Sequence, residues 1–138
     1  MATVLVDANV LLDILTTDAT WEPWSSAVLA EAAESSLLAI NPIIYAEVST
    51  GFDCPEDLDA ALPEELQREP LPWDAALLAG RAFLAYRRRG GVRVSPLPDF
   101  FIGAHASVRG YALLTRDARR YSTYFPDLRL IAPSGREG

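Results

Sequence analysis

The amino-acid sequence predicts a single α/β domain of three layers, with helices on both faces of a central, mostly parallel sheet of about four to five strands. Three observations predict this. Short apolar runs alternate with helical stretches from end to end, and strands separated by helices return in parallel. The 138 residues suit one ordinary domain. Half of them are hydrophobic, enough for a sizeable core. No repeat or linker divides the chain, so the domain is assigned residues 1–133 and a frayed tail 134–138.

Thr3–Val6 reads as a buried strand. Ala8–Leu15 follows as a helix with Val10, Leu11, Ile14 and Leu15 on its apolar face, and Glu22–Glu34 as a second, with Pro23 near its start. Ser36–Ile40 is the next strand. In "NPIIYAEVSTG", Asn41 suits an N-cap, Pro42 the first helical position and Gly51 the exit. Pro55–Gln67 is a polar helical stretch with a break at Pro63, and "EPLPW" is extended with room for a short strand. Asp74–Arg89 is a long helix capped by Asp74 and closed by Gly90–Gly91. "VSPLP" forbids helix; Asp99–Arg109 is the next one. Tyr111–Thr115 is a strand, Asp117–Tyr124 a short helix anchored by Tyr121, Tyr124 and Phe125, and Leu128–Ile131 the last strand.

Composition removes whole classes of chemistry. All twelve basic residues are arginine, which excludes a P-loop and a Schiff-base lysine. It also argues against haloacid-dehalogenase-type phosphatases and response-regulator receivers. A single histidine, His105, excludes paired-histidine RNA cleavage and a two-histidine zinc site within one chain. One cysteine, Cys54, excludes an internal disulfide and suits a reducing cytoplasm. Neither a signal peptide nor a membrane span is read in the chain. Residues 1–67 carry thirteen acids and no basic residue, whereas residues 68–138 carry all twelve arginines against six acids. The net charge of −7 therefore divides into −13 and +6, a pattern that suits a polyanion on the basic side or a basic partner on the acidic side.

Four acids stand in apolar company: Asp7 after "TVLV", Glu47 within "PIIYAEVSTG", Asp99 in "PDFFIGAHA" and Asp117 closing "LLTRD". The three aspartates precede helices, where Asp is a favoured cap. Asp7 and Asp117 also follow strand ends, where open parallel sheets place their ligands. Glu47 sits inside a helix beside Ile43, Ile44 and Val48, with no basic residue in the first 67 positions to pair with it. Either its face is exposed, or a cation or an arginine from elsewhere supplies the charge. Carboxylates that converge repel one another. An oxygen-only ligand set that relieves this suits Mg²⁺ or Mn²⁺, and such ions support phosphoryl chemistry without histidine or lysine.

These residues carry a resemblance. The segments "VLVDANVLLDIL", "NPIIYAEV", "LPDFFIGAHA" and "LLTRDARRYSTYFP", in that order over nearly the whole chain, resemble the PIN domain and, within it, the VapC toxins of bacterial toxin–antitoxin pairs. The resemblance implies a Mg²⁺- or Mn²⁺-dependent endoribonuclease, a homodimer, and a cognate VapB-like antitoxin that blocks the site. It places the family's acidic positions on Asp7, Glu47, Asp99 and Asp117 as metal ligands and catalytic residues. Asn9 and Thr115 fall where they would orient carboxylates or water. The alternatives are a PIN-like binding module without catalysis, and a metal-dependent phosphatase or DNA nuclease using the same acids.

Arg116, Arg119 and Arg120 beside Asp117, together with Arg87, are the candidates for RNA contact. His105 lies six residues after Asp99, about 240° round a helix, and reads as a core or dimer-facing residue. Asp13 and Asp18 read as surface acids, with Asp13 close enough in sequence to approach the site. Trp21, Trp24 and Trp73 read as core aromatics; Trp21 and Trp24 could equally wall an antitoxin groove.

Overall fold

A computed structural model describes residues 1–93 and 97–133. The elements run β1 (Thr3–Val6), α1 (Ala8–Leu15), α2 (Glu22–Ser35), β2 (Leu37–Ile40), α3 (Pro42–Ser49), α4 (Pro55–Ala61) and β3 (Leu66–Arg68), then α5 (Trp73–Arg88), α6 (Pro98–Arg109), β4 (Ala112–Leu114), α7 (Arg119–Ser122) and β5 (Leu130–Ile131). The sheet has five strands in the order β3-β2-β1-β4-β5, and every pairing is parallel. The architecture is the three-layer α/β/α arrangement that the alternation of elements implies.

The inner strands are continuous apolar runs because both of their faces are covered. Leu5, Val6, Leu113 and Leu114 have no exposed surface. Helices α5 and α6 pack along one another, as do α1 and α2, and Ile44 of α3 and Ile102 of α6 are buried in the same core. From β1 the chain moves outward to β2 and β3, then returns to the other side of β1 for β4. The reversal opens a crevice beyond the carboxyl ends of β1 and β4. The backbone N–H of Asp7 reaches across it to Leu114 O at 2.9 Å.

Several expectations need correction. Helix α4 stops at Ala61, and the third strand is Leu66–Arg68 instead of lying in "EPLPW". Pro63 ends the helical stretch, and the apolar Leu66 pairs with Leu38. Helix α5 starts one residue before Asp74, with Pro72 at its cap position, so Asp74 sits in the first turn and caps nothing. Trp73 is 92% exposed and fills no core. Helix α7 is a single turn instead of eight residues. The reading of "VSPLP" lies in part outside the described residues; its final Pro98 opens α6 at a position that needs no N–H donor. The expected tail, 134–138, lies outside them too.

Other local readings hold. Asn41 Oδ1 accepts the N–H of Ile44 at 2.9 Å and caps α3. Gly90 takes a φ of +95° just past α5. His105 is fully buried, held between Asn41 Nδ2 at 2.9 Å from its Nδ1 and Glu69 Oε1 at 3.3 Å from its Nε2. It is a core histidine, and none of the four candidate acids is among its hydrogen-bond partners.

Gly103 on α6 ties this core to the turn α7. A Cβ there would meet ring carbons of Phe125 at 2.6 Å and Tyr121 Cδ1 at 3.1 Å. Gly103→Ala is therefore expected to lower unfolding free energy by about 1–3 kcal/mol, measured by urea denaturation. An unchanged midpoint would contradict this close approach.

Candidate active site

Asp7 ends β1 and is 3% exposed. Its two oxygens have separate tasks. Oδ1 accepts the N–H of Ala8 at 2.8 Å, at the start of α1. Oδ2 accepts the hydroxyls of Tyr121 at 2.7 Å and Thr115 at 2.9 Å. Thr115 Oγ1 also accepts from the Asp117 backbone N–H at 3.1 Å and from Asn9 Nδ2 at 3.2 Å. Asn9 Oδ1 in turn accepts the Arg116 N–H at 3.3 Å. The loop after β4 is thus stitched to the start of α1 through Asp7, Asn9 and Thr115.

Of the three aspartates that precede helices, only Asp7 is a cap. The cap positions of α6 and α7 are Leu97 and Ala118, and neither helix has a side-chain cap bond. This frees Asp99 and Asp117 for other contacts. Asp99 Oδ1 lies 3.4 Å from the Tyr121 hydroxyl, and its Oδ2 lies 3.5 Å from Arg120 Nε. Asp117 Oδ2 lies 3.0 Å from the same Nε. Glu47, half-buried on α3, accepts no side-chain hydrogen bond among the described residues.

The acids feel one another. Burial, and then the charges of Asp7 and Asp99, push the Glu47 carboxyl up to about 7. Burial also raises Asp7 and Asp99 above the usual carboxylate range, while hydrogen bonds and Arg120 pull Asp7 part of the way back. Burial and the surrounding carboxylates raise the Tyr121 phenol, so it is a hydrogen-bond donor and never an anion here. The cation that Glu47 lacks locally is supplied in part by Arg120, from the other half of the chain.

One residue beside the site differs from its sequence reading, and another does more than that reading gave it. Tyr121 does anchor the last turn, but its hydroxyl also links Asp7 to Asp99. Asp13 is 3% exposed instead of being a surface acid. It accepts a two-pronged bond from Arg116, Nε to Oδ2 at 2.8 Å and Nη2 to Oδ1 at 3.1 Å, and also the Ser25 hydroxyl at 2.8 Å. Arg116 further stacks 5.4 Å from the Trp21 ring. Its guanidinium is committed to holding α1, α2 and the loop after β4 together. Arg119 is exposed, and Arg87 lies over Phe83 and donates to Arg93 O at 2.8 Å.

A hard divalent cation would find only oxygen donors here, as its chemistry requires. The excess of carboxylates over guanidinium also leaves negative charge uncompensated. As the side chains stand, no three acidic, histidine or cysteine groups among the described residues converge closely enough to hold an ion. Arg120 and the Tyr121 hydroxyl lie between them.

A parallel sheet with one buried and three partly buried acids near the β1/β4 crevice defines an α/β domain with an acidic rim site. The family model of the PIN domain matches residues 4–126, and the chain belongs to the PIN domain family. No curated protein sequence matches it. Solved structures share its fold. They include VapBC2 from Rickettsia felis bound to a DNA fragment from its promoter, at TM-score 0.73 and 17% identity over 94% of this chain and 98% of that one. DNA-bound VapBC from Salmonella typhimurium is similar at TM-score 0.69 and 21% identity, over 96% and 98%. A toxin–antitoxin complex from Klebsiella pneumoniae is similar at 0.68 and 21%, over 95% and 98%.

The raised carboxyls set a pH dependence. Glu47 in the folded protein lies above its ordinary 4.5, at about 7. Its contribution is therefore fully present below pH 4.5 and lost as pH rises through 7. His105, held below its ordinary 6.5 by burial, acts in the opposite sense as pH falls, so the useful quantity is a difference between proteins. In metal-free buffer, the stability of the wild type relative to Glu47→Gln is expected to fall between pH 5.5 and 8. Because Glu47 is partly exposed, the change is at most about 2 kcal/mol. Thermal unfolding of both proteins across that range checks it; a difference independent of pH would contradict it.

Proposed function

We propose that this chain is a VapC-type toxin: a Mg²⁺- or Mn²⁺-dependent endoribonuclease, cytoplasmic and homodimeric, held inactive by a cognate VapB-like antitoxin. The observation that carries this reading is the buried Asp7 carboxylate, fixed by Thr115 and Tyr121 within the field of Glu47 and Asp99. Membership of the PIN domain family and the fold shared with toxin–antitoxin complexes support it. No helix among the described residues is long and apolar enough to cross a membrane.

Asp7, Glu47, Asp99 and Asp117 would hold the ion. When bound, it would lower the pKa of a water and offset charge on the phosphodiester. The chain's own residues do the positioning. Thr115 and Tyr121 fix Asp7 Oδ2, so that carboxylate needs little reorganisation. Asn9 holds Thr115 and the Arg116 backbone in register with it. Glu47, whose carboxylate accepts no side-chain hydrogen bond among the described residues, has lone pairs free to accept a proton from the attacking water. Arg119, on the exposed side of α7, is placed to meet RNA phosphates.

A second reading is favoured by the separation of the acids by Arg120 and Tyr121: a PIN-fold binding module that neither takes up metal nor cleaves. One variant separates the two. Asp7→Asn removes a buried charge whose carboxyl already lies above its ordinary range. It is expected to keep the fold and to gain up to about 2 kcal/mol of stability, while losing at least about 100-fold in Mn²⁺-dependent RNA cleavage. Urea denaturation and a labelled-RNA assay measure the two effects. Undiminished cleavage by folded Asp7→Asn would sink the nuclease reading. Wild-type protein inert toward RNA at saturating Mn²⁺ would favour the binding module.

A further inference from the structure

Two consecutive residues of α7 hold Asp99 by its two oxygens. The Tyr121 hydroxyl faces Oδ1 at 3.4 Å, and Arg120 Nε faces Oδ2 at 3.5 Å. Each residue also reaches a second acid, Tyr121 to Asp7 at 2.7 Å and Arg120 to Asp117 at 3.0 Å. The two differ in freedom. Tyr121 is fully buried and packed against Gly103, so it is part of the core. The Arg120 side chain is 52% exposed, with bulk water on its outer side. It can leave its carboxylates without unpacking anything.

Arg120 brings one positive charge to an acid set that also includes Asp7 and Glu47, both of which its field reaches. Its Nε donor cannot serve those carboxylates and a phosphate at once. A half-exposed ion pair is weakly held, whereas a divalent cation engages several carboxylates together. Such an ion and Arg120 are therefore competitors for Asp99 and Asp117.

Resting on the nuclease reading, we propose that Arg120 is the resident counter-ion of the site: a divalent cation displaces it from Asp99 and Asp117, and the freed guanidinium then binds a phosphate of the RNA. The exchange orders the events, because the arginine that grips the substrate is released only as the ion arrives. A free protein without divalent ion keeps Asp99 and Asp117 paired and its RNA grip withheld.

Competition has a sign that structural support does not share. If Arg120 merely braced the acids, its loss would weaken metal binding; if it competes, its loss tightens it. Titration calorimetry of the full chain with MnCl₂ alone, with no RNA present, compares wild type, Arg120→Gln and Asp7→Asn. Arg120→Gln is expected to bind Mn²⁺ about three- to tenfold more tightly than wild type, the gain from removing a weak competing pair, and Asp7→Asn to lose binding. Equal or weaker binding by Arg120→Gln, with wild type binding normally, would overturn the exchange and leave the nuclease reading intact. Absence of Mn²⁺ binding in wild type and Arg120→Gln alike would overturn both. The second half of the exchange is read at saturating Mn²⁺ from the slope of log KM for RNA against log salt. Arg120→Gln is expected to flatten it by about 0.7–0.9, the loss of one phosphate contact. An unchanged slope would overturn delivery of the guanidinium to RNA.

Discussion

The placement of one buried carboxylate organises the molecule. Asp7 stands where β1 ends and the strand order reverses, and it binds three separate parts of the chain: the start of α1, the end of β4 and the turn α7. Burying an acid costs free energy unless donors surround it. Here an N–H and two hydroxyls do so. The cost survives as a carboxyl held above its usual range.

The remaining acids extend that cost. Glu47 and Asp99 raise the local negative potential, and the chain offsets it with Arg120 from the opposite end of the sequence. The division of the arginines is functional at short range. Arg116 is fixed on buried Asp13 and holds α1 against the loop after β4. Arg120, four residues later, is half in water and pairs with the acids themselves. One guanidinium is held against a buried partner and its neighbour is half-exposed, although the sequence shows them as members of one basic cluster.

Much of the fold was legible because its signals are local. The apolar run Val4–Val6, the Asn41–Pro42 start and the Gly90 exit all act within a few residues. The third strand was misplaced because Leu66–Arg68 is short, mostly polar and at the sheet edge, where pairing with β2 rather than composition decides. The four acids were visible as charges in apolar surroundings. The same signal exists for Asp13, between Leu12 and Ile14, but its partner Arg116 lies 103 residues away and leaves no local trace. Tyr121 was legible as an anchor, but its hydroxyl bonds depend on α6 and α7 meeting through Gly103, a tertiary fact.

These carboxylates tolerate one another because positive charge stands among them, and in the proposed nuclease a divalent ion supplies it. The most direct measurement is an anomalous difference map from crystals of the wild-type protein grown in MnCl₂. A manganese peak is expected in the space bounded by Asp7, Glu47, Asp99 and Asp117, with Arg120 turned away from Asp99 and Asp117. A map at saturating Mn²⁺ with no peak there, and Arg120 still on both aspartates, would contradict it.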